Sequence, residues 1–210
     1  MDNIANQIIG LLIWLPGVLI ALTFHEYAHG KVADLLGDDT PYLMGRLTLN
    51  PLPHIDWVGL IMLIFFHFGW AKPVQVNPHR FKKVGTKKGM MLVALAGPAV
   101  NLLLAFVAMV LLRIITPFQG TEWGYYVIVL LRPLIYINIV LAVFNMIPLP
   151  PLDGSKVLAG LLPDKGANAI YSLERYSMLI LIALIMTGAT STFIGPVMNA
   201  IYNLYYIIIF

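Results

Sequence analysis

The chain has 210 residues, 60% of them hydrophobic and 11% charged, with a mean hydropathy of +0.84. That composition excludes a water-soluble globule and describes an integral membrane protein. The absence of cysteine excludes disulfides and thiolate metal sites, and the net charge of +3, with its basic residues gathered in one loop, sets nucleic acid aside as a partner.

In chain order, the first apolar run, 8–32, follows no basic leader and precedes no small-residue cleavage site, so a retained helix is expected rather than a signal peptide. It ends in "FHEYAHGK", where two histidines and a glutamate interrupt the hydrocarbon pattern. The next run, 57–70, is fenced by prolines and is short for a crossing helix, which predicts a re-entrant, hairpin or interfacial element near residues 55–75. Loop 71–88 carries Lys72, Arg80, Lys82, Lys83, Lys87 and Lys88 with no acid, and the positive-inside rule assigns it to the cytoplasm. Runs 89–115 and 125–147 should span outward and back. Runs 177–187 and 193–210 read as modest helices joined by a tight turn at "GATST". The expectation is an all-α membrane protein, a polytopic bundle of about five transmembrane helices forming a single domain over 1–210. In "ALAGPAVN" small residues permit close packing and Asn101 can hydrogen-bond across helices, with packing its expected role, and Arg113 and Arg132 are expected to snorkel from near helix ends.

The HExxH pattern puts His25 and His29 one turn apart on one helical face, where both can hold Zn²⁺, with Glu26 beside the open position as a base for water. Ionisable groups at this spacing on an apolar helix are costly unless used. A third protein ligand is still needed, and Asp34, Asp153, His54, His67 and His79 are available. Asp34 lies off the His25/His29 face and reads as a solvated helix end. Asp153 follows "IPLPPL", whose prolines must break the preceding helix and can present a carboxylate rigidly. Spacing alone does not choose among them.

His25-Glu26-Tyr27-Ala28-His29 together with Asn145-Met146-Ile147-Pro148-Leu149-Pro150-Pro151-Leu152-Asp153-Gly154 resembles the paired signature of the site-2 protease family of intramembrane zinc metalloproteases. The similarity extends through "AHGKVADLLGD", "GRLTLNPLPHID", "GWAKPVQVNP" and "ALAGPAVN", and points to the short bacterial and archaeal branch without appended domains. The resemblance implies cleavage of a substrate's transmembrane segment in a prokaryotic cell membrane. It implies His25, His29 and Asp153 as zinc ligands, Glu26 as general base, and Asn145 as a polar group orienting substrate or polarising its carbonyl.

Topology supplies an independent check. A shared metal needs both motifs at one depth on one side, so loops 31–56 and 71–88 must both face the cytoplasm and the run between them must return to its starting side. From His25 to Lys31 is roughly 9 Å of helix, which sets the metal on the order of 10 Å below the inner interface. A re-entrant backbone within 55–75 could also offer a strand edge to an unwound substrate. Substrate choice then rests on the membrane core, on prior trimming of the substrate or on a separate regulatory partner. The rival reading is a membrane metal transporter using the same ligands, which would have no need of Glu26 as a base.

Overall fold

Backbone in hydrocarbon must satisfy its own hydrogen bonds, and the apolar runs do so as helices. The computed structural model describes residues 2–66, 69–186 and 188–210, and their order is α1 (Asp2–Leu36), α2 (Thr40–Leu43), α3 (Trp57–Phe66), α4 (Thr86–Ile115), α5 (Glu122–Asn145), α6 (Asp153–Leu161), α7 (Asp164–Ser172), α8 (Ser177–Met186) and α9 (Ala189–Ile209). Among the described residues, three helices are long and apolar enough to cross a membrane: Ile9–Leu36 within α1, Thr86–Phe118 over α4, and Glu122–Asn145, which is α5. The protein is an all-α membrane protein. Helices α6 and α7 fill the stretch between α5 and α8, outside the apolar runs. The turn expected at "GATST" is shorter than its five residues, because Gly188 alone takes a left-handed conformation (φ 67°) and α9 begins at the next residue.

The three long helices pack on one another, and small residues set how closely. A Cβ on Gly17 of α1 would stand 3.3 Å from the backbone of Leu134, at the turn of α5 that holds Pro133. Farther from the HExxH motif, Ala105, Ala108, Met109 and Leu112 of α4 interlock with Ile128, Leu131, Ile135 and Ile139 of α5. Lipid tails are as apolar as these side chains, so this core gains from close packing rather than from escape from water. Of the two arginines, Arg113 lies near a helix end as expected and Arg132 does not. Arg113 sits in the last turn of α4 with its guanidinium 5.1 Å from the centre of the Phe210 ring. Arg132 lies near the middle of α5, not near an end, on the wall of a groove shared with Trp14, Tyr136 and Tyr202.

The proline-fenced run is a hairpin. Its rising arm is the ten-residue helix α3, and its neck is closed by an antiparallel bridge between Ile55 and Ala71 and by the Lys72 N–H donating to the His54 carbonyl at 2.9 Å. Two glycines make this approach feasible: a Cβ on Gly59 would lie 2.2 Å from the Trp70 carbonyl, and one on Gly69 would lie 2.2 Å from the Gly59 carbonyl. The expected strand edge is therefore shorter than 55–75. Residues 57–66 are helical and hide their peptide groups, and the non-helical backbone among the described residues here lies at the neck and over 71–77.

The connections before and after this hairpin gather at one end of the bundle. Gly37 (φ 110°) ends α1 with its own N–H on the Asp34 carbonyl and the Asp38 N–H on the Ala33 carbonyl. The Lys82 N–H then donates to the Leu36 carbonyl at 2.9 Å, and Arg80 pairs with Asp39. Lys87 reaches both the Leu162 carbonyl and Asp164. The end of α1, the basic loop and the segment after α5 thus meet on one side, as a metal shared between the two motifs requires.

Candidate metal centre

His25 and His29 face α4 from the inner side of α1, and both are buried. The helix they meet must be bare at that point. A Cβ on Gly97 would lie 2.5–2.6 Å from His29 Nε2, His29 Cε1 and His25 Cε1. Asp153 arrives from the opposite direction. Helix α5 stops at Asn145, the proline-rich stretch turns the chain, and α6 starts at Asp153, where the positive end of the helix dipole favours a carboxylate. Gly154 explains why a glycine follows it, since a Cβ there would fall 2.3 Å from the Met146 carbonyl and 2.5 Å from that of Ile147.

The three side chains converge. His25 Nε2 and His29 Nε2 lie 2.9 Å apart, and Asp153 Oδ2 lies 3.2 Å from the first and 3.1 Å from the second. The outer hydrogen bonds fix the protonation pattern. His29 Nδ1 lies 2.7 Å from the Val93 carbonyl, which can only accept, so Nδ1 carries the proton. His25 Nδ1 lies 2.6 Å from Asn101 Oδ1. The Asn101 amide is itself oriented, because its Nδ2 donates to the Ala21 carbonyl at 3.0 Å and to Asn138 Oδ1 at 2.8 Å, while Asn138 Nδ2 donates to the Leu134 carbonyl. His25 therefore also donates from Nδ1.

Both neutral imidazoles then turn an Nε2 lone pair toward the other and toward the carboxylate. Asp153 Oδ2 is left buried without a hydrogen-bond donor. A proton on one imidazole would relieve only part of this, whereas a cation satisfies all three atoms at once. Two imidazole nitrogens and one carboxylate oxygen, with each imidazole oriented by the hydrogen bond at its Nδ1, are a donor set that suits zinc.

Glu26 is half-buried on the next face of α1 and accepts the Val74 N–H at 2.8 Å through Oε2. The other expected site residues lie elsewhere. Asn145, the last residue of α5, donates to the Leu141 carbonyl at 3.0 Å and has no described contact with the three converging groups. Asp34 pairs with Lys31 at 3.0 Å, His54 is buried against the Thr48 carbonyl and Arg46, and His79 is exposed. His67 lies outside the described residues.

Two contributions were not foreseen. Asn101, expected to serve packing, orients a ligand candidate. Asp38, within a run of acids that suggested a solvated helix end, is wholly buried and accepts from Thr40 and from the Asn77 N–H at 2.7 Å. Asn101→Leu is expected to weaken zinc binding about 10- to 100-fold while the helices stay folded, as loss of an outer-shell partner does. Competition with a zinc-chelating dye, alongside helicity by circular dichroism, measures both.

The fold and this centre define a membrane-embedded zinc metalloprotease, and comparison with known proteins agrees. Peptidase family M50 matches residues 112–188, a stretch that contains Asp153 but not the HExxH motif. YwhC of Bacillus subtilis is 37% identical over 95% of this chain and 92% of its own length. MJ0611 of Methanocaldococcus jannaschii is 33% identical over 72% of each, and Rip2 of Mycolicibacterium smegmatis is 30% identical over 83% of this chain and 67% of its own. All three carry zinc metalloprotease as a provisional name. No solved structure gives a significant match. The chain belongs to peptidase family M50, the site-2 proteases, in its short form, and its cofactor is zinc.

Proposed function

We propose that this protein is an endopeptidase that cuts the membrane-spanning segment of other membrane proteins, with zinc held by His25, His29 and Asp153 and with Glu26 as general base. The observation that carries this reading is the convergence of two Nε2 lone pairs and an orphaned carboxylate oxygen beside the one glutamate of the motif. Bound zinc supplies Lewis-acid activation of water and of a peptide carbonyl. Glu26 takes the proton of the attacking water and returns it to the leaving nitrogen, and the Val74 N–H holds its carboxylate in place for both transfers. Asn145, the last residue of α5, offers its amide to the substrate.

A transmembrane helix hides its peptide bonds, so a substrate must unwind to be cut. The non-helical segment 71–77 supports docking by strand addition, since neither the Gln75 nor the Val76 N–H has a hydrogen-bond partner among the described residues. The basic loop supports a cytoplasmic position for the site in the cell membrane. The test is incubation of purified protein with single-span substrates, with the cut mapped by mass spectrometry. Zinc-dependent cleavage within the span is expected. Val76→Pro should slow cleavage about 10-fold with zinc content unchanged, as loss of positioning does. Cuts confined to extramembrane loops would overturn the proposal.

A further inference from the structure

Arg46 is a buried cation without an anionic partner. It is 3% exposed, and no carboxylate among the described residues lies within ion-pair distance of it. Its Nε has no hydrogen-bond partner among the described residues. Burial pushes the guanidinium pKa down, and the Glu26 carboxylate acts in the opposite sense. Such a group is expensive to keep, and its contacts show where it is used. Nη2 donates to the Lys72 carbonyl at 2.5 Å and lies 3.4 Å from His54 Nδ1, while Nη1 donates to the Pro73 carbonyl at 3.3 Å. The very next peptide N–H, that of Val74, is the one bound to Glu26.

The segment 71–77 is therefore a strap pinned at successive points: at its start by Ile55 and His54, in its middle by Arg46 and Glu26, and at its end by Asp38. The middle pins are coupled. A guanidinium fork can grip two successive carbonyls at once, which a lysine ammonium cannot do with fixed geometry. With those carbonyls held, the Val74 N–H has one direction to point, and it points at Glu26.

We propose that Arg46 is a positioning residue for Glu26, acting through the backbone of 72–74 rather than by touching substrate or metal. This rests on the reading of Glu26 as the base.

The test compares wild type, Arg46→Lys, Val74→Pro and the double variant in purified zinc-loaded protein. Four readouts are taken: bound zinc, kcat, KM, and hydrogen exchange over 71–77. Arg46→Lys is expected to hold zinc as wild type does, to lower kcat about 10-fold with KM changed less than about 2-fold, and to speed exchange in the strap. Val74→Pro removes the N–H that reaches Glu26, along with the side chain packed beside Gly30, and should cost kcat similarly. The double variant should be no slower than the worse single one, because both changes break one coupling. Wild-type kcat in Arg46→Lys, losses that multiply in the double variant, or unchanged strap exchange would each overturn the proposal. If Arg46→Lys does not fold, Arg46→Gln, which keeps a planar donor group without the charge, is read against the same outcomes. Glu26→Gln is run in parallel. Should it still cleave, the base assignment fails, and strap exchange alone then decides whether Arg46 orders 71–77.

Discussion

Glu26→Gln protein is expected to bind zinc as tightly as wild type and to cleave a single-span substrate at least about 10³-fold more slowly, within the range that removal of a general base costs. The amide is nearly the same size and keeps an oxygen that can accept the Val74 N–H, so the strap and the histidine pair stay where they are. What is lost is the capacity to take a proton. Zinc content by elemental analysis and turnover on the same preparation check the two halves of this prediction. The result also separates protease from transporter: a transit site built from His25, His29 and Asp153 would pass metal unimpaired in Glu26→Gln, so loss of cleavage with intact zinc is an outcome that transport does not explain.

Asp153→Ala is expected to lower zinc affinity more than 100-fold, beyond the 10- to 100-fold typical of outer-shell partners. It should also reverse the usual sign of a buried substitution in one state. In metal-free wild type, the Asp153 oxygen faces two lone pairs and has no donor, a penalty of about 1–3 kcal/mol or more for a buried polar group. Alanine removes that penalty, so metal-free Asp153→Ala should melt no lower than metal-free wild type. Zinc should raise the Tm of wild type and leave the variant unmoved, because only a native-state site converts binding into stability. Thermal melts with and without a chelator decide it. A variant that still gains Tm from zinc would mean that another residue completes the site.

The order in which these features became legible follows from the range of the interactions behind them. The HExxH spacing is local: one turn of helix places His25 above His29 whatever the rest of the chain does. The proline break before Asp153 is local too, as is the shortness of the run fenced by prolines. Each is written in adjacent residues, and each matches an element of the structure, including the hairpin whose ends return to one side. Arg132 shows the limit of such reading, since its place near the middle of α5 depends on where that helix begins, and a capping threonine, Thr121, moved that start to Glu122.

Composition, apolar run length, charge asymmetry and the HExxH spacing by themselves determined that this is a helical membrane protein with a candidate metal-binding pair of histidines and a basic loop on the side where the motifs meet. Those properties are sums or short-range spacings, and solvent and helix geometry enforce them without reference to distant parts of the chain. Tertiary structure alone decided that Asn101 and Asn138 set the His25 tautomer, that Gly97 clears room for both imidazoles, that Asp38 is an anchor rather than a solvated acid, and that Arg46 reaches across 26 residues to the backbone beside Glu26. Each of these contacts joins segments far apart in sequence, and a polar side chain buried in a bundle acquires its role only from the partner that packing brings to it.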